Sequence, residues 1–155
     1  MSDYLIFQAG KQSLGAAVEC VREVVRAAAL SNPVGLSKAI EGILNLRGNA
    51  VPVIALEELF DFPVPPLSST DYLVVMSDSQ NRSCAVRSNK EVQLTSEAEI
   101  IEYDIGTGSG QSPMQQLRIG QLIIPLINPK SILDSVDSTT LPLKKLSKDA
   151  AGGNE

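Results

Sequence analysis

The clearest capacity for molecular recognition lies in residues 42–48, which read Gly-Ile-Leu-Asn-Leu-Arg-Gly and precede the short apolar run Val-Pro-Val-Ile. Arg47 carries a planar guanidinium with five donors, which suits carboxylates and backbone carbonyls. The pair Gly48-Asn49 is a turn signal of the kind that joins hairpin strands. The guanidinium at this strand end can therefore bind carbonyls of its own loop or contact a partner, and the residue types alone leave both roles open.

The chain contains no histidine, and this excludes whole classes of enzyme. It cannot form a Ser-His-Asp triad or a Cys-His pair, supply a histidine ligand to a metal, or accept a phosphate on histidine. Its two cysteines, Cys20 and Cys84, are far apart and lack metal-site spacing, so both are expected to be reduced thiols in a cytoplasmic protein. We therefore expect no catalytic residue, no metal and no cofactor.

Two other patterns have a superficial chemical meaning. Residues 106–110, Gly-Thr-Gly-Ser-Gly, resemble a phosphate-binding loop, but no Lys-Ser/Thr follows and Pro113 comes almost directly after, so a surface loop is predicted. The acidic residues Glu97, Glu99, Glu102 and Asp104 lack the spacing of a calcium loop and are predicted to form a solvated face.

Composition sets the class of protein. A length of 155 residues with 43% apolar content predicts one soluble globular domain with a real core. The formal charge of −5 argues against nucleic-acid binding, because no basic surface is evident. The opening Met-Ser-Asp-Tyr has no secretory features, and no apolar stretch reaches the roughly 20 residues of a membrane span, so no membrane insertion is expected.

Short strand-like runs separated by turn signals dominate the sequence and predict an all-β barrel or sandwich. The gaps between most runs are too short for the helices that a parallel sheet needs. Pro52 lacks an N–H, which predicts that its strand is an edge strand or starts at a bulge. The predicted strands are 4–8, 14–18, 43–46, 51–56, 72–76, 83–87, 91–95, 116–119 and 122–127.

Helical signals are few. Between residues 16 and 30 the apolar residues, among them Val21, Val24 and Val25, have helical spacing, which by itself predicts an amphipathic helix. Short helices are predicted at 37–40, where Ser37 can cap, at 56–60, and at 129–133, where Asn128 precedes a proline at the first helical position. Residues 138–155 have almost no aromatic or β-branched bulk and are predicted to be a disordered tail.

The segment Gly-Ile-Leu-Asn-Leu-Arg-Gly followed by a Pro-Val strand resembles the signature of the CheW family of chemotaxis coupling proteins. The opening Tyr-Leu-Ile-Phe at 4–7, the Val-Arg-Glu-Val at 21–24 and the later strand-like runs also match this family in order and spacing. The resemblance covers about residues 3 to 135. It implies one domain, residues 1–137, of two small five-stranded SH3-like barrels packed together. It also implies that 16–30 forms strand, tight turn at 19–22 and strand from Glu23, and we adopt this interpretation.

The resemblance further implies a function and a set of partners. The chain would be a non-enzymatic adaptor between chemoreceptor cytoplasmic tips and the regulatory domain of a CheA-type histidine kinase. The alternative from another class is a small enzyme or a small-ligand barrel with a site between the subdomains. The residues that the resemblance places at the partner surface are Val21, Glu23, Gly42, Asn45, Arg47, Gly48 and Val92.

The chain departs from the family pattern at two places. The family usually has Asp-Leu after Pro-Val-Ile, where this chain has Ala55-Leu56, and its Val-Asp-x-Val pattern is replaced from Val86-Arg87 onward. We expect both changes to remove carboxylates from loops beside the proposed interface, which would affect the choice of partner.

Overall fold

The computed structural model of the protein describes residues 2–60, 62–103 and 114–137, which form eleven strands and two α-helices. The first seven strands are β1 (Tyr4–Ala9), β2 (Gln12–Ala17), β3 (Val21–Arg26), β4 (Ile40–Leu46), β5 (Asn49–Ile54), β6 (Tyr72–Ser77) and β7 (Ser83–Ser88). The remaining elements are β8 (Gln93–Thr95), β9 (Glu99–Tyr103), β10 (Met114–Ile119), β11 (Leu122–Ile127), α1 (Leu56–Phe60) and α2 (Pro129–Asp137).

The strands form two sheets, and the all-β prediction is confirmed. The first sheet has six strands in the order β8-β1-β2-β11-β10-β9, and the second has five in the order β3-β6-β7-β5-β4. The first sheet thus has one strand more than predicted. The difference lies in β9, whose acidic residues suggested a solvated face; alternate residues of a strand can face solvent while its backbone pairs with β10.

A shared apolar core lies between the two sheets. It includes Phe7 and Leu14 of the first sheet, Met76 and Val86 of the second, and Ile132 of α2. Each sheet also buries its other face. Leu73 and Val75 join a separate core inside the second sheet, and Leu117 and Ile124 join one inside the first. Central strands such as β6 are therefore buried on both faces, as in two packed barrels.

Two β-bulges shape the second sheet. In β3, Val21 pairs with Met76 and Glu23 with Val75, so Arg22 is the extra residue. In β4 the register shifts between Ile40 and Gly42, so Glu41 is the extra residue. An extra residue reverses the alternation of faces along a strand. Side chains three apart along β3 and β4 therefore face the same core.

The second sheet closes on itself through one short contact. Ser31, beyond the end of β3, exchanges two backbone hydrogen bonds of 2.9 and 2.8 Å with Ile43 of β4. Gly42 lies beside this contact and is buried. A Cβ at position 42 would lie 2.7 Å from the Cβ of Leu30, so a side chain there would separate the two closing segments.

Between β2 and β3 the chain forms a 3₁₀-helix over Val18–Cys20. The tight turn predicted at 19–22 is not formed. β3 then starts at Val21. The strand–turn–strand interpretation is confirmed over the amphipathic helix, with this shift of boundary.

Pro52 does not lie in an edge strand. β5 is between β7 and β4 in the sheet order. Pro52 pairs with Ile43, whose own N–H and C=O point away from β5 towards Ser31, so this pair needs no hydrogen bond between the strands. The missing N–H therefore costs nothing in the β4–β5 ladder.

The helix predictions have mixed outcomes. Residues 56–60 are helical as predicted, and α2 starts at the predicted Pro129 but extends to Asp137, because Ile132, Leu133 and Val136 all reach the shared core. Residues 37–40 are a turn instead, in which the Ser37 hydroxyl accepts a hydrogen bond from the Ala39 N–H, a local alternative to helix.

The predicted loop at 106–110 and the predicted disordered tail at 138–155 lie outside the described residues. Neither described helix has the length and apolar character that crossing a membrane would require. Over the described residues, no cluster of three or more histidine, cysteine, aspartate or glutamate side chains could hold a metal ion.

Candidate functional site

The turn between β4 and β5 presents Arg47 to solvent in an unfavourable backbone conformation. Arg47 has a φ of 51° and Gly48 a φ of 87°, and Leu46 pairs with Asn49 on either side of them. The turn is therefore Arg47-Gly48 with the positive φ values of a type I′ turn, not Gly48-Asn49, and Asn49 starts β5. Asparagine or glycine normally fills the first position, so an arginine there is held against its preference.

Neighbouring groups fix this turn. The Asn45 side-chain oxygen accepts a hydrogen bond of 2.9 Å from the Gly48 N–H. The Arg47 guanidinium does not bind carbonyls of its own loop; it donates two hydrogen bonds to the carboxylate of Glu23 on β3, one of them 3.3 Å long between Nη1 and Oε1. The hydrogen bonds and charge of Arg47 lower the pKa of Glu23, which keeps the pair ionised.

This ion pair joins β3 to the β4–β5 turn, and so links the two edge strands of the second sheet at a second place besides the contact between Ser31 and Ile43. The Arg47 side chain is 70% exposed and that of Glu23 is 29% exposed. The guanidinium is thus held in one direction while most of its surface faces solvent. Such a group is preorganised for contact, since a partner that binds it does not have to order it first.

A groove of about 650 Å³ lies under this pair, and we call it the mouth groove. Its floor includes the buried residues Val51 and Val75, and polar side chains surround that floor. An apolar floor with a polar rim is the usual anatomy of a protein–protein contact. The mouth groove is lined by Arg22, Glu23, Leu46, Arg47, Asn49, Ala50, Val51, Val75, Ser77, Asn81 and Ser83.

Three polar residues on one wall of the groove were not singled out from the sequence. The bulge residue Arg22 donates hydrogen bonds from Nε to the Ser77 hydroxyl and from Nη2 to the Asn81 side-chain oxygen, the latter 3.0 Å long. Asn81 has a φ of 63°, within the β6–β7 turn. In the sequence, the signal for this wall was Arg22, a charged residue inside an otherwise apolar strand. A single charged residue does not by itself predict a bulge.

The predicted partner residues occupy three different environments. Glu23, Asn45, Arg47 and Gly48 lie together at the turn, and Val21 is two residues from Glu23, half-buried against the shared core. Gly42 is in the interior beneath Leu30. Val92 lies between β7 and β8, half-buried against the shared core, and does not line the mouth groove.

Of the departures from the family pattern, Ala55 and Val86-Arg87 lie in the interior, not in surface loops as expected, whereas residues 89–92 form the loop between β7 and β8. Ala55 is buried between β5 and α1. The Arg87 side chain is 6% exposed and binds Glu41, the extra residue of the β4 bulge, with hydrogen bonds of 2.7 and 3.0 Å. Its Nη1 also lies 3.4 Å from the buried Asp71. Burial alone would lower the pKa of Arg87, but Glu41 and Asp71 raise it.

The arrangement is suited to recognition. Arg47 is paired with Glu23, and Arg22 binds the neutral side chains of Ser77 and Asn81. The exposed polar residues around the apolar floor are Arg22, Arg47, Asn49 and Asn81. Across the ranges 2–60, 62–103 and 114–137, no acidic or thiol cluster at the groove could hold a metal. The geometry supports contact with another macromolecule through an arginine and a shallow apolar groove.

The chain shares its sequence pattern and its fold with known proteins. A family model described as "CheW-like domain" matches residues 3–137. No curated protein matches the chain. Among solved structures, the chain is similar to the scaffolding protein TtCheW from Thermoanaerobacter tengcongensis, with a TM-score of 0.61 and 19% sequence identity over 82% of this chain and 88% of that one. At this identity the likeness concerns the fold alone.

Proposed function

The chain belongs to the CheW-like domain family, whose members are coupling proteins of chemotaxis signalling, and from this premise we propose that it joins a CheA-type histidine kinase to chemoreceptors without catalysing a reaction. Its partners in this proposal are the regulatory domain of the kinase and the cytoplasmic tip of the receptor. Both partners act in the cytoplasm, where we place the protein.

The main support for this proposal is the structure of the mouth groove. The disfavoured backbone conformation of Arg47 costs free energy on folding, and its described hydrogen bonds go to Glu23 in an exposed ion pair, which stabilises a fold only slightly. Such strain persists where it serves a contact. We therefore assign the kinase regulatory domain to the mouth groove, with Arg47 near the centre of the contact and the floor of Val51 and Val75 beneath it.

The first test is the substitution Arg47→Ala. Affinity for the kinase regulatory domain should fall by roughly 5- to 150-fold, the range of a contact at a hot-spot arginine. The melting temperature should change by only a few degrees, because the side chain is mostly exposed. Isothermal titration with the kinase domain and a melting curve give both quantities.

Arg118→Ala is the matched control. Arg118 is also an exposed arginine paired with an exposed carboxylate, Glu99, but on the first sheet, so its loss should leave kinase binding unchanged. If Arg47→Ala remains folded and binds normally, the mouth groove is not the docking site. Val21 does not line the groove, so Val21→Lys tests the predicted role of Val21 separately: if the variant remains folded, the added charge at the start of β3 should weaken binding.

A further inference from the structure

Arg22 differs from the other arginines of the chain in what it binds. It is exposed, and no carboxylate of the residues that the structure describes is ion-paired with it. Its charge therefore lacks a counter-charge, although acidic residues outnumber basic ones in the chain by 18 to 13. The arginines that do pair with a carboxylate are Arg47, Arg82, Arg87 and Arg118.

The guanidinium of Arg22 is held in one place by neutral groups. Its Nε donates a hydrogen bond to the hydroxyl of Ser77, and its Nη2 donates one of 3.0 Å to the side-chain oxygen of Asn81. Asp78 fixes the turn that contains Asn81. Its carbonyl accepts a hydrogen bond of 3.0 Å from the Asn81 N–H, and its Oδ1 accepts one of 2.9 Å from the Arg82 N–H. The guanidinium is thus ordered before any partner binds, which lowers the entropic cost of the contact.

Part of this guanidinium remains available for a further acceptor. An arginine side chain has five N–H donors, and the two described bonds of Arg22 use those of Nε and one of Nη2. The edge formed by Nη1 and the second N–H of Nη2 is left. A carboxylate matches two adjacent N–H donors of a guanidinium, and its charge makes both hydrogen bonds stronger than those to an amide or a hydroxyl.

The surroundings of Arg22 in the mouth groove favour an acidic partner. The charged residues of the groove lining are Arg22, Arg47 and Glu23, two cations and one anion, so the groove has a net charge of +1 on a chain of −5. Glu23 is already paired with Arg47. Val51 and Val75 on the floor suit an apolar side chain. Complementarity therefore requires a carboxylate next to an apolar group.

We propose that Arg22 binds a carboxylate of the partner in the mouth groove, so that the bound surface has an aspartate or glutamate beside an apolar side chain. The inference rests on the proposed function and extends it, because it states the chemistry that the kinase regulatory domain presents to this groove. Arg47 keeps its ion pair with Glu23, while Arg22 supplies the charge that selects an acidic surface over a basic one.

The experiment is a charge series at Arg22, with the same changes at Arg26 as the matched control. Arg26 is another exposed arginine of β3, outside the groove lining and stacked over the ring of Tyr72. Arg22→Gln should lower affinity for the kinase regulatory domain by roughly tenfold or more, the scale of a hydrogen bond between charged groups. Arg22→Glu should lower it further, because like charges then face each other.

Arg26→Gln and Arg26→Glu change the net charge equally but should alter this affinity by less than about twofold. Position 26 is more than about 10 Å from Arg22 along the strand, a distance at which exposed charges are largely screened. The melting temperature of the Arg22 variants should stay near that of the wild type, because Asp78 holds the β6–β7 turn without Arg22.

Rescue from the partner's side distinguishes carboxylate binding from a structural role. Replacing one exposed aspartate or glutamate of the kinase domain by arginine should weaken its binding to the wild type and restore about tenfold of the affinity lost in Arg22→Glu. If Arg22→Glu binds like the wild type, or no such replacement restores affinity, the inference is overturned while docking at the mouth groove stands.

A second measurement does not use the kinase. In NMR spectra of the wild type, the blocked peptide Ile-Glu-Ile-Glu should shift the Arg22 Nε–H and the Ala50 amide more than its neutral counterpart Ile-Gln-Ile-Gln does. Arg22→Gln should abolish the difference at Ala50. Equal shifts from the two peptides, or no shift from either, would overturn the inference. If the wild type does not bind the kinase domain, the proposed function fails, and the peptides still decide whether Arg22 binds carboxylates.

Discussion

Gly42→Asp is expected to unfold the protein or to lower its free energy of unfolding by about 5 kcal/mol or more. The Cβ would lie 2.7 Å from the Leu30 Cβ, and relieving such overpacking in a core costs roughly 1–3 kcal/mol. The carboxylate would then be buried without a partner, at a further cost of several kcal/mol. The sum approaches the total stability of a domain of this size, about 5–15 kcal/mol. Urea denaturation followed by circular dichroism measures the loss.

Asn45→Asp is the matched control, because it adds the same charge three residues along the same strand at an exposed position. Its oxygen can still accept the hydrogen bond from the Gly48 N–H, so stability should change by less than about 0.5 kcal/mol. If the Gly42→Asp protein melts like the wild type and no longer binds the kinase domain, Gly42 lies at the interface and not in the interior.

Arg87→Met should lower the free energy of unfolding by about 3–5 kcal/mol, the usual effect of breaking a buried ion pair from one side. The methionine fills part of the space but leaves Glu41 and Asp71 without their guanidinium. Glu41 is the extra residue of the β4 bulge, so its displacement would disturb the strand that leads to Arg47. We therefore expect weaker kinase binding as well as lower stability.

The triple variant Arg87→Met, Glu41→Gln, Asp71→Asn tests whether the loss of stability comes from unpaired charges or from the packing around Arg87. It removes the unpaired carboxylates that Arg87→Met leaves behind, and such uncompensated buried charges account for much of the cost of breaking a buried ion pair from one side. It should therefore recover most of the stability that Arg87→Met loses. If the triple variant is as unstable as the single one, packing around Arg87, and not its ion pairs, stabilises this region.

The local signals in the sequence were sufficient for the β4–β5 hairpin, though not for its turn residues, and for the all-β class, whereas the two-barrel arrangement was implied by the family resemblance. Alternating apolar runs and turn residues placed most strands within a few positions of their observed bounds, and the motif around Arg47 located the most exposed part of the site. The contact between Arg47 and Glu23 could not be derived from these signals. It depends on how the ends of the second sheet meet, and no local pattern specifies that geometry.

The bulges explain the main ambiguity in the sequence. Val21 and Val24 pack against the shared core while Val25 faces the interior of the second sheet, because Arg22 interrupts the alternation between them. Residues three apart on one face are the mark of a helix, so a bulged strand imitates helical spacing. The same effect puts Ile40 and Ile43 on one face of β4. Spacing alone could not distinguish the two structures.

The order of the strands along the chain has a consequence for how the protein folds. The second sheet uses only consecutive strands, β3 to β7, whereas the first must bring β2 beside β11, where Gly15 pairs with Leu126. Contacts between nearby residues form before contacts that close a long loop. We therefore expect the second sheet, which contains the mouth groove, to fold first. The first sheet, whose strands precede and follow it in the sequence, would then fold against it. Pulse-labelled hydrogen exchange should protect the amides of β6 before those that pair β2 with β11, and the reverse order would contradict this sequence of events.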